Sequence, residues 1–161
     1  MEARFDLMAN EVAAKFSKRF IGAALVLEHS ALPATTQELL KIRASQLNGC
    51  GFCLDMHTKD AAAAGESAVR LALIAAWREA TVFTEAERAV LAFAEEGTRL
   101  ADTGRGVSDE TWARVREHFD DDQVAALVCL VAMINAANRM NVIVRNPAGA
   151  YEPGMFAALS R

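Results

Sequence analysis

Within eight residues the chain places two thiols and an imidazole, in the run Cys50-Gly51-Phe52-Cys53-Leu54-Asp55-Met56-His57. On a helix Cys50 and Cys53 stand at i,i+3 and Cys53 and His57 at i,i+4, so all three share one face. Two thiols at that spacing can close a reversible disulfide. An imidazole beside them can take the proton that turns a thiol into the reactive thiolate. Gly49 and Gly51 flank Cys50, which predicts a partly exposed turn opening a helix. A helix N-terminus favours a thiolate and can bring a cysteine pKa from about 8.5 to roughly 3.5–7.5. The pair reads as redox-active rather than as two small buried apolar residues.

Other residues compete for roles around this pair. Glu38 sits three residues after Thr35, where it fits the last position of a capping box. Its helix leads through one tight turn into the cysteine helix, which would bring Glu38 toward His57 or the thiols; the residues alone leave both roles open. Cys129 lies in the apolar run Val124-Ala125-Ala126-Leu127-Val128-Cys129-Leu130-Val131 and is expected to be an inert core thiol. Asn135, Asn138, Arg139 and Asn141 form a polar cluster late in that run, suited to lining a cleft or to hydrogen bonding within the fold. Trp77, Trp112 and the phenylalanines fall at helical spacing and read as core; His29 and His118 stand alone. A zinc site built from Cys50, Cys53, His57 and Glu38 ranks last, because three ligands on one helix face suit a tetrahedral metal poorly.

The elements that must position these groups are helices throughout. Apolar residues at Met8, Val12, Phe16, Phe20, Ala24 and Leu27 predict a helix from Met8 to about Ala31, broken by Pro33. The next opens at Thr35 and ends at Asn48-Gly49, as Asn and Gly end helices. The cysteine helix runs from Cys50 to Ala64 with Gly65 as its stop. Ser67 caps a helix to about Trp77. Thr84-Glu85-Ala86-Glu87 is a capping box for a helix toward Leu100, and Gly104-Arg105-Gly106 is a loop. Ser108 caps a short helix with Trp112, Val115 and Phe119. Asp120-Asp121-Asp122 complements the dipole of the most apolar helix, Val124 to about Met140. From Asn146-Pro147 onward the chain reads as a loop or docking arm.

At 161 residues and 53% apolar, with much of that alanine, the chain is expected to fold as one domain over residues 1–161 and to share part of its core with a partner subunit. A net charge of −4 without a basic patch argues against nucleic-acid binding. No uninterrupted apolar run reaches the roughly 18 residues of a membrane span. The N-terminal Met1-Glu2-Ala3-Arg4-Phe5-Asp6 lacks the charge and apolar run of a signal peptide. The expectation is a cytoplasmic protein without a membrane segment, and in that compartment a Cys-x-x-Cys is redox-active or metal-binding rather than a scaffold disulfide.

Glu38, eleven residues, Cys50, two residues, Cys53, three residues, His57 resembles the signature of the alkylhydroperoxidase AhpD-like core, within the carboxymuconolactone decarboxylase-like superfamily. Glu38 through Cys50, Trp77-Arg78-Glu79 with Phe83 through Ala89, and Asn135-Ala136-Ala137-Asn138-Arg139 extend the likeness to the peroxidase-related members. Together these stretches cover about residues 15–150. The resemblance implies an all-α, single-domain AhpD-like bundle that is oligomeric, a trimer or hexamer. It implies a thiol-dependent hydroperoxide reductase or disulfide oxidoreductase in which Cys53 attacks the peroxide, Cys50 resolves the sulfenic acid, and Glu38 and His57 relay the proton. The implied partners are a hydroperoxide and an external dithiol reductant of lipoyl or thioredoxin type; no metal, flavin or haem is required. Phe52 stands where the best-known members carry a second histidine. The decarboxylases of the superfamily lack the cysteine pair, which disfavours that activity. A redox-sensing or protein-interaction module without catalysis is the alternative.

Overall fold

The computed structural model describes residues 2–104 and 106–156. Among them the chain forms α1 (Glu11–Glu28), α2 (Ala34–Asn48), α3 (Gly51–Ala63), α4 (Ala68–Leu73, continued by a 3-10 turn Ile74–Ala76), α5 (Glu85–Thr98), α6 (Leu100–Thr103), α7 (Asp109–His118) and α8 (Asp121–Val144), with no strand. Arg105 of the expected loop and the end of the C-terminal arm, from 157 on, lie outside the described residues.

The helix starts follow local capping chemistry. Asn10 accepts the N–H groups of Val12 and Ala13, and the Asp6 carboxylate holds Met8 and Ala9 in a turn before it. The expected start at Met8 therefore moves to Glu11. Thr84 and Glu87 form the expected capping box of α5, Ser67 and Ser108 cap α4 and α7, and Asp120 with Gln123 forms a further box on α8.

Thr35 does not cap α2. Pro33 occupies the N-cap without a side-chain hydrogen bond, and its carbonyl accepts the N–H of Gln37 at 3.0 Å. The proline's fixed φ and extended ψ begin the helix at Ala34. Glu38 is thereby one turn inside α2 and has no capping duty.

α2 is buried along most of its circumference and divides the interior in two. Leu40 and Ala44 join Leu27, Val90, Phe93, Val115, Leu127 and Ile134 in one apolar cluster. Leu39 and Ile42 face the other, with Ala61, Ile74, Trp77, Phe83 and Leu91. A helix buried on both sides must satisfy its polar side chains internally, and Gln37 does so by donating to the carbonyls of Leu27 and Leu32, at 2.9 and 3.0 Å. α8 is long and apolar enough, by length and composition, to cross a membrane. In this fold it packs against α1, α2, α3 and α5.

Candidate active site

The cysteine turn is built by the end of α2. Gly49 adopts a left-handed conformation, φ 65° and ψ 29°, which only glycine reaches without a Cβ penalty. Cys50 N–H then bonds back to the Ser45 carbonyl at 3.0 Å, the hydrogen bond of a Schellman-type stop. This reversal puts Cys50 at the N-cap of α3, where its sulfur accepts the Cys53 N–H at 3.3 Å. Cys50 and Cys53 are joined as a disulfide with their Cα atoms 5.4 Å apart. Both are only 1% exposed. The expectation of a partly exposed Cys50 is thus corrected: Gly49 and Gly51 are exposed, but Cys50 itself is turned inward against its neighbours.

One neighbour is α8. Asn135, Asn138 and Asn141 recur every third residue on it and reach toward the cysteine turn. Asn48 donates to Asn138 at 2.8 Å and to Asn135 at 3.0 Å, and the fully buried Asn138 donates to Ser45 at 3.0 Å. These bonds clamp the end of α2 to α8. Asn141 goes further, its amide nitrogen lying 3.6 Å from the Cys53 sulfur. The other neighbour is the C-terminal arm, which runs along α3. Asp55 accepts the backbone N–H groups of Gly149 and Tyr151 at 2.7 and 3.1 Å. Lys59 bonds the carbonyls of the same two residues, and the Tyr151 hydroxyl donates to Asp60 at 2.9 Å. Phe52 packs toward Phe156 with ring centroids 6.3 Å apart.

Glu38 and His57 meet as α2 and α3 cross. His57 Nδ1 lies 3.1 Å from Glu38 Oε2, and Lys41 pairs with the other carboxylate oxygen. The Nδ1–Oε2 contact is close but not collinear, so each of these two buried atoms lacks a well-aligned hydrogen bond. Burial drives His57 below its ordinary value of 6.5, against the opposing pull of Glu38. Burial would raise Glu38, but the close contact and charge of His57, together with Lys41, hold it below its ordinary 4.5. Near neutral pH this leaves a carboxylate beside a neutral imidazole, a base with an acceptor behind it.

The structure thus joins Cys50 to Cys53 and sets Glu38 beside His57, with Cys53 and His57 one turn apart on α3. Two other expectations fail. Cys129 is an exposed free thiol rather than a core one, because residues 124–134 of α8 are apolar on every side and their outward face is not marked by polarity. Trp112, Phe5 and Phe16 are 41%, 50% and 53% exposed rather than core, whereas Trp77 is buried with its indole N–H on Glu95. Asn48, Ser45, Asp55, Tyr151 and Asn146 were not singled out as site residues. The one signal for their neighbourhood was asparagine recurring every third position in an apolar helix.

Comparison with known proteins decides the family. A profile of the carboxymuconolactone decarboxylase family matches residues 13–96. The uncharacterized protein YdfG of Bacillus subtilis (strain 168) is 38% identical over 138 residues, 86% of this chain and 92% of its own length. The chain belongs to the carboxymuconolactone decarboxylase family. Its fold is that of AhpD-like proteins. ATU0492 from Agrobacterium tumefaciens, a protein of unknown function for which an AhpD-type antioxidant defence role has been put forward, superposes with a TM-score of 0.86 at 31% identity, over 93% of this chain and all of that one. The debrominase Bmp8 shares the fold alone, with a TM-score of 0.74 at 16% identity over 82% of this chain and 70% of its own. This fold is thus also found in a debrominase.

Proposed function

We propose that this protein is a thiol peroxidase that reduces hydroperoxides with its Cys50–Cys53 pair. The observation that carries the reading is the juxtaposition of that disulfide with His57 on the same helix and Glu38 at 3.1 Å from His57. Glu38 engages Nδ1, which leaves Nε2 as the basic nitrogen for a thiol proton. His57 deprotonates Cys53. The thiolate attacks one peroxide oxygen and the O–O bond breaks. Cys53 becomes a sulfenic acid, and the leaving alkoxide takes the proton from His57. Cys50 then attacks the Cys53 sulfur and expels water, which forms the disulfide. An external dithiol of lipoyl or thioredoxin type, the reductant of a cytoplasmic setting, returns both thiols by exchange. The protein acts as a homo-oligomer of three or six subunits.

The test is hydroperoxide consumption with a dihydrolipoyl or thioredoxin-type reductant. Wild type should turn over repeatedly, Cys53→Ser should be inactive, and Cys50→Ser should lose its disulfide-dependent cycle. Repeated turnover by Cys53→Ser would overturn the assignment. A redox sensor is the second reading, favoured by the near-complete burial of both sulfurs. A sensor would oxidise once per molecule and show no turnover with any of these dithiols.

A further inference from the structure

We infer that Asn141 is a further catalytic residue, donating a hydrogen bond that holds the Cys53 sulfur as a thiolate and so makes Cys53, rather than Cys50, the attacking thiol. The inference rests on the peroxidase reading only for the identity of the step. Each sulfur of the pair has one donor. Cys50 receives the Cys53 backbone N–H at 3.3 Å, at the start of α3. By helix position alone Cys50 would be the more acidic thiol. Among the described residues Cys53 has no such backbone donor, and the amide nitrogen of Asn141 at 3.6 Å takes its place.

The orientation of that amide is set by its other bonds. Asn141 Nδ2 donates to the Ala137 carbonyl at 2.9 Å, which requires a nitrogen at that position. Asn141 Oδ1 accepts from Asn146 Nδ2 at 2.6 Å, the pairing that this orientation allows. A flipped amide would lose both bonds and turn an oxygen lone pair toward the sulfur. Neither bond involves the sulfur, so the donor stays aimed when the disulfide is reduced. A donor aimed at sulfur favours the anion over the thiol, because charge-assisted hydrogen bonds are the stronger ones. Deprotonation then sends the Cys53 proton to His57 and leaves the electron pair for the peroxide oxygen.

The charged and titratable groups on the elements packed here are Asp55, His57, Lys59 and Asp60 of α3, Glu38, Lys41 and Arg43 of α2, Arg139 of α8 with Asp121 and Asp122 at its far end, and Tyr151 of the arm; Arg43 is engaged on Glu95 and Gln46. Lys41 is engaged on Glu38, Arg139 on Asn135, and Asp55, Lys59 and Asp60 on one another and the arm. A change at Asn141 alters none of these charges.

The experiment measures the rate at which iodoacetamide alkylates Cys53 as a function of pH. It uses the full chain with Cys50→Ser, whose hydroxyl still caps α3, and quantifies the Cys53 peptide with the Cys129 peptide as internal reference. Asn141→Leu should move the Cys53 midpoint to higher pH by about one unit, the effect of losing a hydrogen bond to a charged group. Asn141→Asp should move it further, since a carboxylate repels the thiolate. Asn146→Ala, which frees the amide without removing it, should shift it in the same direction by less. An unchanged Cys53 midpoint in folded Asn141→Leu, or in Asn146→Ala should Asn141→Leu not fold, would overturn the inference. No peroxide enters the assay, so a failed peroxidase reading shows separately, as a low Cys53 midpoint without turnover.

Discussion

At the scale of the residue, Glu38 and His57 illustrate how far spacing carries. The interval from Glu38 to Cys50 and on to His57 brings the carboxylate toward the imidazole or the thiols, and only the family resemblance implies its pairing with His57. It was not enough to separate that role from a helix cap, because Thr35 and Glu38 have the chemistry of a capping box. Pro33 decides it by starting the helix at Ala34. Glu38→Gln therefore removes a charge without removing a cap. His57→Ala and Glu38→Gln should each slow oxidation of Cys53 by peroxide, within the roughly 10²–10⁴-fold span of a general base. Stopped-flow peroxide consumption measures this, and a rate unchanged in Glu38→Gln removes Glu38 from the relay. The same pair makes stability depend on pH. His57 titrates below its ordinary 6.5 in the folded chain, so between those two values the unfolded state binds the extra proton and stability falls as pH drops. Glu38, lowered from 4.5, adds stability above 4.5 that is lost as pH falls through its folded value. Both act in the same direction. The Tm of wild type should decline from pH 7 toward pH 4, with the upper part of the decline missing in His57→Ala.

At the scale of the element, helix termini were the most legible features. The Thr84 box, the Ser67 and Ser108 caps and the Asn48-Gly49 stop all form as their chemistry requires. The arm after α8 was legible only as irregular chain, because its docking uses backbone N–H and carbonyl groups that every sequence has. What the sequence does carry is the receptor: Asp55 and Lys59, at i,i+4 on α3, each hold Gly149 and Tyr151. Asp55 is held below its ordinary 3.8 by Lys59 and by the N–H groups of Tyr151 and Gly149, against burial. Its grip on the arm is therefore present above that value and lost as pH falls below it. Asp55→Ala should release the arm at neutral pH and make the reduced thiols of α3 react faster with a bulky maleimide. A maleimide rate equal to wild type would mean that the arm does not limit access to the thiols.

At the scale of the whole molecule, the interior is filled around α2 and the outside is not uniformly polar. Leu40, fully buried, belongs to the cluster that joins α2 to α5 and α8, and such truncations to alanine cost about 2–5 kcal/mol. α1 by contrast buries only Leu27, while Val12 is 77% exposed and Phe16, stacked on Phe20, is 53% exposed. Where such outward apolar residues adjoin in one patch they mark contact surfaces, and Phe16 stacked on Phe20 is the place on α1 to test the proposed homo-oligomer. Light scattering at micromolar concentration should give a multiple of three subunits and a smaller species for Phe16→Glu, whereas a wild-type monomer would contradict it. In the proposed function, the buried α2 and the turn at Gly49 present one thiol, Cys53, to one base, His57. Trapping the first oxidation product tests that claim most directly. Reduced Cys50→Ser protein, treated with one equivalent of hydroperoxide and then dimedone, should carry the sulfenic-acid adduct on the Cys53 peptide, and Cys53→Ser should carry none in the Cys50–His57 segment. An adduct confined to Cys129, or none on Cys53 in folded protein, would contradict the account.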